Sequence, residues 1–264
     1  MKILLLGNQD IASLLACNRL INALPYHDVT LWTSARVGKG KQPPPKLAQL
    51  DLLERQVLPE LLLPFARQHG CRIRPFEQLV SAGQFQQISS INDEATLRQI
   101  EQIAPDLILS IRFGLILREP VIQLSRLGVL NLHSGILPDY RGVMATFYAM
   151  LNTEQQIGTT LHFIQDAGID SGDIVSIQRQ PLDYRQSYLT NVLSLYTSGV
   201  DAMVSAVESL NLGKPLQSAS PSDGGNYFSH PDQTQLDAFF AKGLRLFDMQ
   251  ELQTLVRSWI AGDA

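Results

Sequence analysis

Asn131 and His133, in the run Gly128-Val-Leu-Asn-Leu-His-Ser-Gly-Ile-Leu-Pro138, and the acids of Asp166-Ala-Gly-Ile-Asp170-Ser-Gly-Asp173 are the residues whose types and spacing could do chemistry. An amide can donate a hydrogen bond to an oxygen that gains negative charge, and a neutral imidazole can take a proton from an attacking amine. A carboxylate beside that imidazole orients it and stabilises its protonated form, the part assigned to Asp170. Side chains two apart on a strand point the same way, so Asn131 and His133 face one space while Leu130 and Leu132 pack into the sheet. His133 stands at the carboxyl end of its strand, just before the turn residues Ser134-Gly135, where ligands of open α/β sheets sit. Gly168 and Gly172 would let the Asp170 loop approach closely. Each residue also has a plainer reading. A histidine at a strand end is more often structural, Asn131 can cap a turn, and the three aspartates can form a polar loop or a weak cation site.

The elements that would position these groups follow from hydrophobic periodicity. Lys2 to Leu6 is a short apolar run ending at Gly7, a strand buried on both faces, and Ile11 to Leu24 then carries apolar residues at helical spacing. Further strands are expected at Asp28 to Thr33, Asp106 to Ile111, Val129 to His133, Thr159 to Ile164 and Asp173 to Gln180. Leu47 to His69 reads as a long helical stretch that Pro59 and Pro64 break or kink. Ile91 to Ile103 reads as a helix capped by Asn92 or Asp93, and Ser187 to Leu212 as a long helix stopped by Gly213-Lys-Pro215. Short apolar strands alternating with helices imply an α/β fold with a mostly parallel central sheet flanked by helices. After residue 212 the composition shifts to a Ser-, Pro-, Asp- and Gly-rich linker and two short amphipathic helices over Gln233 to Ile260. The expected division is a catalytic domain over 1–212 and a small helical C-terminal extension over 213–264, whose apolar face offers a homodimer interface.

Composition narrows the partners. A chain of 264 residues that is 45% hydrophobic can bury one substantial core. A net charge of −4 argues against a protein that holds nucleic acid through phosphate contacts. Cys17 and Cys71, the two cysteines, form no Cys-x-x-Cys or zinc-type cluster, so no metal site is expected and reduced, cytoplasmic thiols fit best. Asn8, Gln9 and Asp10 interrupt the apolar start well short of a signal peptide, and no apolar run approaches the ~20 residues of a membrane helix.

The runs Asn131-Leu-His-Ser-Gly-Ile-Leu-Pro-Asp-Tyr-Arg-Gly142, Ile157-Gly-Thr-Thr-Leu-His162 and Asp166-Ala-Gly-Ile-Asp-Ser-Gly-Asp-Ile174 resemble the formyltransferases dependent on N10-formyltetrahydrofolate. That family includes glycinamide ribonucleotide transformylase, methionyl-tRNA formyltransferase and the sugar N-formyltransferases. The resemblance runs over about Met1 to Leu212 and is most specific across 105 to 175. It implies a Rossmann-like formyltransferase fold and an N-formyltransferase with N10-formyltetrahydrofolate as formyl donor. The catalytic trio falls on Asn131, His133 and Asp170, and a pterin pocket made largely of backbone falls on Gly114, Leu115, Ile116 and Leu117 and on Ala167, Gly168 and Ile169 up to Asp170. In the implied reaction an amine attacks the formyl carbon, Asn131 and His133 stabilise the oxyanion, and Asp170 holds the histidine.

Departures from the family bear on the acceptor. Gly7-Asn8-Gln9-Asp10 has one glycine and an acid where the nucleotide transformylase cradles a phosphate. Arg141-Gly-Val-Met-Ala145 lacks the proline usual in the tRNA enzymes. Length and the Leu-Pro-Asp-Tyr-Arg-Gly run look most similar to the sugar N-formyltransferases, so a nucleotide-linked amino sugar leads as acceptor. The alternatives are a small amine or hydroxylamine such as hydroxyornithine, or a non-catalytic folate or nucleotide binder of the same fold. A nucleotide-dependent oxidoreductase is disfavoured because Gly-x-Gly-x-x-Gly is absent. Arg36, Lys39 and Lys41 could contact a diphosphate, although a solvated loop is the commoner use of such a segment. Tyr227, Phe228 and His230 could pack an aromatic base or simply dock the tail.

Overall fold

The computed structural model describes residues 1–34, 43–70, 73–222 and 224–261, without the side chains of 256 and 258–261. Arg36, Lys39, Lys41 and Cys71 lie outside the described residues. The chain opens with β1 (Lys2–Asn8), α1 (Ile11–Ala23), β2 (Asp28–Ser34), α2 (Pro45–Leu52), a π-helical turn over Leu53–Val57 and α3 (Leu58–Gln68). It continues through β3 (Phe85–Ile88), α4 (Glu94–Ile103), β4 (Leu107–Ile111), α5 (Glu119–Ile122), β5 (Val129–His133), β6 (Tyr140–Gly142) and α6 (Ala145–Leu151). Then come β7 (Gln156–Phe163), β8 (Ile174–Pro181), α7 (Tyr188–Asn211), β9 (Asn226–Phe228), α8 (Gln233–Ala241) and α9 (Met249–Ala261).

Seven strands form one sheet in the order β3-β2-β1-β4-β5-β7-β8. The first five are parallel, and β7 and β8 add an antiparallel edge. Both faces of the sheet are covered, which is why the strands read as nearly continuous apolar runs. On β1, Ile3 and Leu5 enter one core cluster with α1 and α7, while Leu4 and Leu6 enter the other, under α4 and α5. On β5, Leu130 and Leu132 belong to the first cluster and Val129 to the second. By the same alternation Asn131 and His133 share the α4/α5 face. The order of connection reverses between β1 and β4, and the crevice off their carboxyl ends is where such sheets bind ligands.

Some local details differ from the sequence expectation. The stretch from Leu47 to His69 is interrupted by the π turn at 53–57, where the Leu58 amide reaches back to the Leu53 carbonyl. Pro59 lies in the first turn of α3 and offers no N–H to the carbonyl of Arg55, which accounts for the rearrangement; Pro64 stays inside α3. The short edge strand β3 and the pair β6–β9 carry no clear signal in the sequence. α4 is capped by Asp93, which accepts from the Thr96 amide, rather than by Asn92. The tail beyond 212 shares the main core, since Leu236, Phe239, Leu246 and Leu252 join the cluster that holds α1 and α7. Among the described residues no helix is long and apolar enough to cross a membrane.

Candidate active site

β5 presents Asn131 and His133, and the antiparallel register sets His162 of β7 directly opposite Asn131. The loop joining β7 to β8 carries Asp170 back over this pair, with its backbone in the left-handed region (φ 50°). Close approach there requires glycine at 172, because a Cβ would fall 1.9 Å from the Phe163 carbonyl oxygen. The loop is tied down from β6: the Arg141 guanidinium donates twice to the Ile169 carbonyl (3.0 and 2.8 Å), and the Gly142 amide donates to Asp170 Oδ2 at 2.9 Å. The three residues assigned from the sequence, Asn131, His133 and Asp170, are thus brought together.

The Asp170 carboxylate sits between two imidazoles. Its Oδ2 is 3.4 Å from His133 Nδ1, and its Oδ1 is 3.4 Å from His162 Nε2 and 3.5 Å from Asn131 Nδ2. Burial by itself would push this carboxyl up, but the His133 charge, the His162 contact and the Gly142 amide outweigh it and bring it to about 2. His133 Nε2 donates to the Tyr140 carbonyl at 2.6 Å, which assigns a proton to that nitrogen and leaves Nδ1 to face the carboxylate. His162 Nδ1 donates in the same way to the Phe163 carbonyl at 2.9 Å, and its Nε2 lies 3.0 Å from Asn131 Nδ2. The two hydrogens of this amide are thus directed to His162 Nε2 and to Asp170 Oδ1, the second contact being the long one. Gly135 leaves room for the ring, since a Cβ there would come within 2.5 Å of His133 Nε2.

These groups form part of the wall of a cleft of about 900 Å³, at the upper end of what single small-molecule sites occupy. Gly114, Leu115, Ile116, Leu117, Gly168 and Ile169, the residues expected to form a pterin pocket, are among those that line it. Ala167 does not; it is exposed on the outer side of its loop. Asn92 braces the 114–117 segment, donating to the Ile116 carbonyl at 2.8 Å and accepting from the Arg118 amide at 3.0 Å. Tyr227 and His230 of the tail also line the cleft, and burial lowers His230 below its ordinary value. Among the described residues no cluster of His, Cys, Asp or Glu could hold a metal ion.

Two contributors escape sequence reasoning. His162 reads there only as a strand residue, because its role depends on the β5–β7 register, which no local pattern fixes. Arg141 belongs to a recognisable run without a role of its own, and its fork onto the Ile169 carbonyl is visible only in three dimensions.

Comparison with known proteins gives the chain its relatives. The sequence profile of the formyl transferase family matches residues 55–207. The methionyl-tRNA formyltransferase of Clostridium acetobutylicum is 30% identical over 141 residues, covering 52% of this chain and 44% of that protein. The chain therefore spans less than half the length of that curated relative. A sugar N-formyltransferase from Shewanella sp. FDAARGOS_354 superposes with a TM-score of 0.57 at 14% identity, over 90% of this chain and 86% of that one. The formyltransferase PseJ from Anoxybacillus kamchatkensis, solved with UDP-4,6-dideoxy-4-formamido-L-AltNAc and tetrahydrofolate, superposes with a TM-score of 0.54 at 17% identity, over 96% and 97% of the two chains. At these identities the superpositions speak for the fold, and with the profile covering more than half of the sequence, this chain belongs to the formyl transferase family.

Proposed function

We propose that the protein transfers the formyl group of N10-formyltetrahydrofolate to a primary amine, with a nucleotide-linked amino sugar as the leading acceptor. The observation that carries this reading is the Asp170 carboxylate held between His133 and His162, beside the Asn131 amide, in the wall of a cleft of about 900 Å³. The folate supplies an electrophilic formyl carbon; the new bond joins it to the acceptor nitrogen, and the bond to N10 breaks. The Asn131 hydrogen held only by the long, 3.5 Å contact to Asp170 can turn to the oxygen that becomes negative. Because Asp170 is ionised at neutral pH, a proton arriving on His133 Nδ1 is paired at once, so the histidine can collect the proton the amine sheds. That proton then serves the departing N10. No step needs a covalent link to the protein.

The segment Gly114–Leu117 and the loop through Gly168 and Ile169 are the folate side of this reading, and residues 213–264 complete the acceptor side through Tyr227 and His230. Relatives named as methionyl-tRNA formyltransferases favour a second acceptor, the amino group of Met-tRNA. The net charge of −4 weighs against it, since tRNA binding draws on a surplus of basic residues. The test is direct. Incubation with N10-formyltetrahydrofolate and either a dTDP- or UDP-linked amino sugar, hydroxyornithine or Met-tRNA is followed by mass spectrometry for a formamide. Formylation of the amino sugar nucleotide is expected; formylation of Met-tRNA alone would reassign the acceptor, and consumption of no acceptor would leave a binder in place of an enzyme.

A further inference from the structure

Past the catalytic trio the cleft runs into the crevice between β1 and β4, and this end is built around a buried cation. Arg112, the first residue after β4, holds its backbone in the left-handed region (φ 55°) and sends its guanidinium inward with a fifth of the side chain exposed. Its Nε binds Asp10 Oδ2 at 3.0 Å, its Nη1 donates to the Tyr196 hydroxyl at 3.4 Å, and its Nη2 lies 3.5 Å from Glu54 Oε1. Tyr196 is in turn hydrogen-bonded to Ser134, the neighbour of His133. Glu54 arrives on the π turn, a type of local distortion that recurs at functional sites.

Two features separate this end from a phosphate cradle. The N-terminus of α1, which could otherwise hold an anion, is already taken by a carboxylate of the chain: Asp10 Oδ1 accepts from the Ser13 amide at 2.8 Å. Asp10 Oδ2 accepts from Asn8 Nδ2 at 2.8 Å as well. Glu54 is the opposite case. Its side chain is only 12% exposed and lines the cleft, and among the described residues neither carboxylate oxygen receives a hydrogen bond; Oε1 is closed to solvent and keeps only the 3.5 Å ion-pair contact with Arg112. A buried acceptor without a donor is costly unless something else supplies the donor.

We propose that Glu54, braced by Arg112 at Oε1, grips the acceptor next to its reacting nitrogen: an O–H or N–H donor of the acceptor seats on the side of the carboxylate turned to the cleft, and phosphate is refused there. The proposal rests on the amine-acceptor reading above and specifies what accompanies that amine. For an amino sugar nucleotide it places ring hydroxyls or a second amino group at this end and the diphosphate elsewhere. Among the described residues, the charged and titratable groups that face Glu54 are Arg112 from just after β4, Asp10 from the head of α1, Asp51 and Arg55 from its own segment, and Tyr188 from α7. Burial pushes the Glu54 carboxyl up to about 7, with Arg112 opposing and Asp10 and Asp51 adding to the rise.

The test needs no turnover. In carboxyl-labelled protein the Glu54 resonance, assigned by its loss in Glu54→Gln, is titrated with pH in the presence of methylamine, D-glucose or inorganic phosphate. A donor on the Glu54 carboxylate stabilises its ionised form, so methylamine or D-glucose is expected to lower the midpoint by at least about half a pH unit; which of the two acts identifies the donor as ammonium or hydroxyl. A response to phosphate alone, or to none of the three, overturns the proposal. With an accepted amine in hand, Glu54→Gln should raise the acceptor KM about tenfold, the worth of about one charge-assisted hydrogen bond. It should leave the folate KM in place and abolish the fall in acceptor KM as pH rises through about 7. If the resonance responds while no amine is formylated, the transfer reading fails and the subsite stands.

Discussion

Asp170 and Glu54 are carboxylates buried in one cleft, and their surroundings drive them in opposite directions. Burial is the largest influence on both and raises both. Around Asp170 it is overcome, because His133, His162 and the Gly142 amide all face the carboxylate, and the group settles at about 2. Around Glu54 it prevails, because one guanidinium is shared with Asp10, and Asp51 adds like charge, so the group settles at about 7. Equal burial therefore says little about what a carboxylate does; the count of donors around it decides. Asp170 belongs to a centre whose contacts are complete before any ligand arrives, whereas Glu54 belongs to an end that is finished by its ligand.

The largest expected effect breaks the first half of that contrast. Asp170→Asn keeps the shape and removes the charge that pairs with a protonated His133, and His133→Ala removes the proton acceptor itself. Either should lower kcat/KM by about 10² to 10⁴, the usual worth of a positioned acid or base. Folate affinity should stay within about threefold, less than 1 kcal/mol. Single-turnover rates and fluorescence titration with folate separate the two readouts. A loss below tenfold for both variants would remove Asp170 and His133 from the proton path.

A step down in size comes from Gly135→Ala. The added Cβ would press on His133 Nε2 and sit 2.7 Å from both the Ala145 Cβ and the Tyr140 carbonyl oxygen, so the ring must shift. Displacement of a catalytic group by about 1 Å can cost about 10² in rate. The expected result is a fall in kcat of that order with cooperative unfolding retained, measured by steady-state kinetics alongside thermal melting. Folded protein with full kcat would mean that the ring position is not what limits the reaction.

How much of this contrast is legible in the sequence differs between the two ends. Asn131 and His133 can be paired from sequence because strand alternation is a local rule, and the structure keeps Leu130 and Leu132 in the core on the other face. For Asp170 the sequence offers a carboxylate in a glycine-flanked loop, and the resemblance the same residue, but not the approach, since the loop that carries it folds back through contacts from Arg141 and Gly142 that no spacing reveals. His162 needs the pairing register of two antiparallel strands. The Arg112 cluster is out of reach altogether: Asp10, Glu54 and Arg112 lie far apart in the chain and meet only because β1 and β4 are neighbours in the sheet. The prolines signal a break near the π turn that delivers Glu54, but neither its place nor its kind.

Stability against pH sharpens the same contrast by sign. Asp170 is depressed from an ordinary value of 3.8, so the stability it adds is present above about pH 4 and lost as the pH falls through about 2. Glu54 is raised from 4.5, so what it adds is present below that value and lost as the pH rises through about 7. A tenfold change in proton affinity is worth about 1.4 kcal/mol, which puts both effects on the order of 2 to 3 kcal/mol, the Glu54 one being the larger. Chemical denaturation should find Asp170→Asn less stable than the native protein at pH 7 and level with it near pH 2. Glu54→Gln should be more stable at pH 8 and level near pH 4. Curves of the same sign for the two variants would show that the two environments do not differ as described.

The smallest effect distinguishes the two ends by which ligand notices. Arg141 and Arg112 are both guanidiniums that hold an acidic segment, one through the Ile169 carbonyl and one through Asp10 and Glu54. Lysine keeps the charge but not the planar fork, so each Arg→Lys change surrenders one hydrogen bond of a pair while sparing the ion pair or dipole contact. Arg141→Lys loosens the loop through Gly168 and Ile169, yet Asp170 keeps its Gly142 and histidine partners. The folate KM should therefore rise about threefold to tenfold, the equivalent of about 1 kcal/mol, with a smaller change in kcat. Arg112→Lys should act in mirror image, raising the acceptor KM and sparing the folate KM. Initial rates measured over a grid of both substrates resolve the two constants, and a variant that moved both together would mean that the folate and acceptor ends respond as one.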